Sequence, residues 1–146
     1  MKLRWAMKPD AGSTRTVVSR WDGGMRAVAT AGPFEIVVDE PPSSGGTDTG
    51  PQPTDLFLAS VATCFTLAMA YAARKRRVAL PGLRVDAVGT YEGLSFTQIE
   101  VLVYSDAPEG VVENLIPAAE RVCYVTNTLR GELTVRISAR AEPTQP

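Results

Sequence analysis

The sequence predicts an α+β protein with antiparallel sheet, and three observations carry that expectation. A run from Leu56 to Ala73 holds no charged residue and is bounded by Pro53 on one side and Arg74–Arg77 on the other. Short segments that alternate apolar and polar residues come in pairs around Gly-containing turns. A second segment of helical spacing lies between those pairs and a last alternating stretch, so strands and helices follow one another in blocks.

At the N-terminal end, Thr16–Arg20 and Arg26–Thr30 read as short strands around the turn Trp21-Asp22-Gly23-Gly24, and Phe34–Asp39 as a third. Residues 41–53, PPSSGGTDTGPQP, are too rich in Pro, Gly and Ser for regular structure. Unstructured stretches of that length inside a compact domain are often functional. A helix is expected from about 54 to 76, on the order of 33 Å long. Thr54 or Asp55 can cap its start, and the basic run suits the negative end of its dipole. Its uncharged length meets the minimum for a membrane span. Six alanines together with Ser60, Thr63 and Thr66 dilute it, however, and strand patterns flank it. A helix apolar all round is a helix buried all round. One small domain can hardly wrap it, so a second subunit is expected to cover part of it.

After Pro81-Gly82, Leu83–Tyr91 and Phe96–Tyr104 alternate around Glu92-Gly93 and form a hairpin. Residues 108–122 carry apolar groups at helical spacing, with Pro117 expected to kink or divide that helix. Leu133–Arg140 alternates once more and is expected to be the last strand.

Composition narrows the chemistry. In 146 residues, 45% apolar and 21% charged, a single folded domain spanning 1–146 is expected. Fifteen basic and sixteen acidic residues nearly cancel, so no net field draws nucleic acid or an anionic membrane, and neither partner is expected. There is no histidine. That removes Ser-His and Cys-His pairs, His-ligated metals and the commonest general base. Two cysteines cannot make a four-cysteine zinc site in one chain. The stretch MKLRWAMKPDAG lacks the apolar core of an export signal, so a reducing, cytoplasmic setting is expected. There, paired cysteines serve catalysis or redox exchange more often than permanent cross-linking.

Cys64 lies inside the long helix and Cys123 at the end of the second. Spacing alone leaves open that both are small buried hydrophobes. The residues around them say more. Gly50-Pro51-Gln52-Pro53-Thr54-Asp55-Leu56-Phe57-Leu58-Ala59-Ser60, followed by Cys64-Phe65, resembles the segment before the reactive cysteine of the OsmC/Ohr family. Cys123-Tyr124-Val125-Thr126-Asn127-Thr128-Leu129-Arg130-Gly131 resembles that family's second-cysteine segment, with the hairpin in the expected place between them.

The resemblance implies OsmC-like antiparallel sheets around two central helices in an intertwined homodimer, with active sites at the subunit interface. It also implies a thiol peroxidase of organic hydroperoxides or hydrogen peroxide, acting in oxidative-stress defence. Such a protein needs no cofactor beyond an external dithiol or lipoyl-type reductant. The first cysteine would attack the O–O bond as thiolate, and the second would resolve the sulfenic acid to a disulfide. Cys123, at a helix C-terminus, is disfavoured as a thiolate, which leaves Cys64 to attack and Cys123 to resolve. Buried in apolar surroundings, Cys64 needs a cation. Arg20 is the candidate, with Arg26 an alternative. Thr54 stands where peroxide-reducing members carry the Glu that holds this Arg. Asp55, one residue on, suits an N-cap or first-turn role at least as well. A non-catalytic, small-ligand-binding or redox-sensing member of the fold is therefore the rival reading.

Overall fold

A computed structural model describes residues 9–142. The chain divides into two compact units, one up to Leu56 and one from Phe57 onward. In the first, β1 (Val18–Trp21), β2 (Arg26–Ala31) and β3 (Phe34–Asp39) form an antiparallel meander in the order β1-β2-β3. Trp21 pairs with Ala27 and closes the first ladder, so the turn is tighter than the sequence suggests. Gly23 and Gly24 both take positive φ there, a conformation glycine reaches at no steric cost.

The Pro/Gly/Ser-rich stretch that follows holds one turn of 3₁₀ helix, Pro42–Ser44, and is otherwise irregular. It is pinned to the end of β3. The buried Asp39 carboxylate accepts hydrogen bonds from the hydroxyls of Thr47 and Thr49, each at 2.6 Å, and from the backbone amides of Glu40, Thr47 and Thr49. Asp39 N–H in turn donates to the Pro51 carbonyl at 3.2 Å. A carboxylate so fully supplied with donors stays ionised, and the two hydroxyls hold its pKa far below the usual carboxylate range.

In the second unit, α1 (Pro53–Lys75) enters from the first, followed by β4 (Arg84–Glu92), β5 (Ser95–Tyr104), α2 (Val111–Val122) and α3 (Tyr124–Arg130). Pro53 sits at the first helical position, where its missing N–H costs nothing. The Asp55 carboxylate accepts from the Gln52 amide at 3.4 Å, the return half of a capping box. At the other end, Val78 N–H bonds the Ala73 carbonyl and Arg77 N–H the Arg74 carbonyl, with Arg77 at φ 57°. This is a Schellman stop built on a non-glycine residue.

The core is made by one face of α1 (Phe65, Ala68, Met69, Ala72 and Ala73) against Leu115, Ala119 and Cys123. Val85, Val101 and Val103 of the β4–β5 hairpin pack on it from the sheet side. Met69, Leu115 and Val61 are wholly enclosed, each worth about 1.5–3 kcal/mol of burial.

Two expectations change. Pro117 does not divide α2, which runs through it at the expense of the Glu113 carbonyl's usual donor. The helix ends at Cys123, where the sequence places its end, and the chain leaves helical geometry there at φ −82°, ψ 102°. The second concerns Leu133–Arg140, which is not a strand: it pairs with no other described residue and lies exposed. Alternation makes a segment suited to a sheet, but pairing needs an edge within reach, and this chain does not bring one to it.

The α1 helix is also not buried all round within its own chain. Ala59, Ser60, Thr63, Leu67 and Ala70 form an exposed uncharged stripe. The helix is long and apolar enough to cross a membrane by length and composition, with a third of its most apolar window buried inside the chain.

Candidate functional site: the paired cysteines

The fold brings Cys64 and Cys123 together. Cys64 faces out of the middle of α1 toward the joint between α2 and α3, beside Phe65 of the core. At that joint, Cys123 is at once the C-cap of α2 and the N-cap of α3. Its N–H completes the last turn of α2 by bonding the Ala119 carbonyl, and its own carbonyl starts α3 by accepting from Asn127. The helix break thus sets a fully buried thiol against α1. The Cys123 thiol donates to the Cys64 sulfur at an Sγ–Sγ distance of 3.4 Å, and both are free thiols. Buried Thr126 hydrogen-bonds the Cys123 carbonyl through its hydroxyl at 3.4 Å.

Cys64 is partly accessible and Cys123 is not, an asymmetry that favours Cys64 as the sulfur a solute meets first. Burial pushes the Cys64 thiol above its ordinary value. The backbone amides of Val125 and Tyr124 pull the other way, and the neighbouring Cys123 adds to the rise. None of these influences is a guanidinium or an ammonium. The location of Cys123 also refines the argument from helix dipoles. It stands at the negative end of α2 and the positive end of α3, so the macrodipole alone does not separate the two sulfurs.

Arg20 lies on exposed β1 of the first unit, opposite Val28, so the structure of a single unit does not group it with the cysteines. Arg26 is engaged locally by Asp22, at 3.0 Å. Thr54 is in the first turn of α1, and Asp55 there is spent on the cap.

A cavity of about 440 Å³ opens one helical turn from the pair. Phe57 and Val61 of α1, Phe96, Ile99 and Val101 of β5, and Thr126 and Arg130 of α3 line it. Phe57 and Phe96 stack at 6.1 Å, and the Phe96 ring lies over Gly89, where a Cβ would come within 2.6 Å of it. Neither sulfur forms part of its wall. A pocket lined by the apolar helix is what the sequence leads one to expect, while the walls that β5 and α3 add come only with the fold. Among the described residues no group of acidic or sulfur side chains is arranged to hold a metal ion.

An α+β unit with two apposed thiols on neighbouring helices defines a two-cysteine protein in which disulfide exchange is geometrically available. The sequence profile of OsmC-like protein matches residues 46–138, more than half of the chain and both cysteines, and the chain belongs to that family. Solved structures share the fold. An OsmC-like protein from Mycoplasma pneumoniae is 18% identical with a TM-score of 0.70, covering 82% of this chain and 89% of that one. An organic hydroperoxide resistance protein from Legionella pneumophila is 21% identical (TM-score 0.61, 83% and 92% covered). The organic hydroperoxide resistance protein of Bacillus subtilis is 22% identical (TM-score 0.60, 82% and 92% covered). No curated protein matches the sequence.

Proposed function

We propose that the protein is a cytoplasmic, homodimeric thiol peroxidase that reduces organic hydroperoxides or hydrogen peroxide in oxidative-stress defence. The 3.4 Å apposition of Cys64 and Cys123 carries this reading, and the hydroperoxide-resistance names of fold relatives agree with it. The Cys64 thiolate attacks the distal peroxide oxygen, and the O–O bond breaks. Cys64 becomes a sulfenic acid and the alkoxide leaves as alcohol once protonated. The Cys123 sulfur then displaces hydroxide from Cys64, releasing water and forming the disulfide. An external dithiol, of lipoyl type or similar, reduces that bond through a mixed disulfide and is itself oxidised. The cavity one helical turn from the pair has Phe57, Val61, Phe96 and Ile99 in its mixed wall, and these suit the organic part of a hydrophobic peroxide. No resident cofactor enters the cycle. Arg20 is the candidate cation for Cys64 and acts, in this reading, across the subunit interface.

Purified protein with a dithiol reductant is expected to consume cumene or tert-butyl hydroperoxide. Cys64→Ser abolishes turnover. Cys123→Ser stops at a single turnover, with a dimedone-reactive sulfenic acid on Cys64, and Arg20→Ala slows attack. Absence of turnover with every reductant tried defeats the reading.

One observation favours a second reading: burial raises the Cys64 thiol, which leaves little thiolate near neutral pH. A redox-sensing or ligand-binding role would show as a Cys64–Cys123 bond that forms reversibly without turnover, or as thiols inert at pH 7 with a ligand retained in a native mass spectrum.

A further inference from the structure

The β4–β5 hairpin is regular except at one point, and that point concerns one side chain. On β5, Val101 and Val103 pack on the core and Ile99 lines the cavity, all three of one parity. Phe96 has the other parity, shared with Leu102 and Tyr104, which are both exposed. Strict alternation would send its ring to that outer face. The pairing instead steps from Thr90↔Gln98 to Tyr91↔Phe96, which leaves Thr97 as an extra residue on β5. A bulge of this kind re-aims the side chain beyond it. Phe96 thereby joins Ile99 in the cavity wall.

A ring on that side needs bare backbone beneath it. Gly89 pairs with Ile99, and the Phe96 ring rests on it: a Cβ there would stand 2.6 Å from Cε1 and 2.7 Å from Cδ1. Gly89 is not among the glycines at positive φ, so its backbone does not call for glycine. The ring above it does. Tyr91 tilts against the same ring at 4.4 Å, and Phe57 stacks on it at 6.1 Å with 18° between the planes. Phe57 precedes Cys64 by two helical turns and so shares its face of α1. A bulge and a glycine inside a strand each weaken a ladder. Both are spent here on the placement of one aromatic ring.

We infer that Phe96 determines which organic group the cavity accepts, favouring a compact aryl group, and that Gly89 and the bulge at Thr97 position it.

The ring lies between the Gly89 backbone and Phe57. A methyl group at position 89 lifts it toward Phe57 and into the space an organic group would fill. An aryl group gains contact with both phenylalanine rings, whereas hydrogen peroxide has nothing to place there. The kinetic consequence rests on the peroxidase reading above; the binding consequence rests on the cavity alone.

The test titrates 2-phenyl-2-propanol, the alcohol left by cumene hydroperoxide, into the full reduced protein and follows binding by NMR. Wild type is expected to bind it, and Gly89→Ala to bind it about tenfold more weakly. In Gly89→Ala/Phe96→Leu a smaller, more flexible side chain clears the new methyl, and binding is expected to recover. The control Val88→Ala, at an exposed position of β4 next to Gly89 and on the other face, binds like wild type. Circular dichroism establishes that each variant is folded. Should Gly89→Ala not fold, Phe96→Leu alone decides. Its preference for 2-phenyl-2-propanol over tert-butanol is expected to fall about tenfold. In turnover, Gly89→Ala is expected to lose about tenfold more kcat/KM with cumene hydroperoxide than with hydrogen peroxide.

A wild type that does not bind the alcohol overturns the inference. So does a folded Gly89→Ala that binds it equally well, or a Phe96→Leu whose preference is unchanged. Equal losses with the two peroxides overturn it as well. Absence of turnover with every peroxide defeats the peroxidase reading only, because alcohol binding is measured without it.

Discussion

Among single residues, Cys64 decides the chemistry. Its thiol is raised by burial and by Cys123, against the pull of the Val125 and Tyr124 amides. Only the thiolate attacks. Alkylation of Cys64 by iodoacetamide in a Cys123→Ser background is therefore expected to climb about tenfold per pH unit from pH 6 to 8. It should not level off below the ordinary thiol value of about 8.5. A plateau below pH 7 would mean that a cation reaches the sulfur in the assembled protein. Asp39 shows the opposite case, a carboxylate kept ionised by Thr47 and Thr49. Its folded-state pKa is depressed, so its stabilising effect is complete above the unfolded value near 4 and fades as pH falls below it. The sequence hides this hub, because its partners lie eight and ten residues away in a stretch that composition alone marks as irregular.

At the scale of elements, the C-terminal stop of α1 places Arg77 in the left-handed region that suits glycine. Arg77→Gly is expected to raise stability by about 0.5–1 kcal/mol in urea denaturation, because the steric cost at φ 57° outweighs the entropy glycine adds to the unfolded chain. An unchanged or lower midpoint would show that the Arg77 side chain has a role of its own. What was legible here follows from period and punctuation. The uncharged run between Pro53 and the basic cluster gave α1 to within a residue or two, and the Glu92-Gly93 turn gave the hairpin. Pro117 does not divide α2, since a single missing donor in a helix packed through Leu115 and Ala119 costs less than unpacking that face. The end of α2 at Cys123 was legible from its helical spacing, whereas the short α3 that follows at once was not. The two cysteine segments were legible from their neighbours, while the cavity beside them needs three elements assembled.

For the whole molecule, the sheets and helices expected from the sequence are present, and the last strand is the exception. Its residues alternate as a strand's do, but alternation does not bring a sheet edge within reach. The cysteines have a consequence at this scale. They stand 59 positions apart, so bonding them would close a loop over nearly half the chain and restrict the unfolded ensemble far more than the folded one. The loop-closure estimate is about 4 kcal/mol, or a melting temperature about 10 °C higher for the oxidised protein. Scanning calorimetry of oxidised and dithiothreitol-treated protein checks this, and equal melting temperatures would contradict it. The cycle also runs backwards. Whatever the bond adds to folding, folding adds to the bond, making its reduction potential about 90 mV more negative than in the unfolded chain. The native state is then a bias on the electron balance of the pair, and a reductant that restores the thiols must work against the stability of the fold itself.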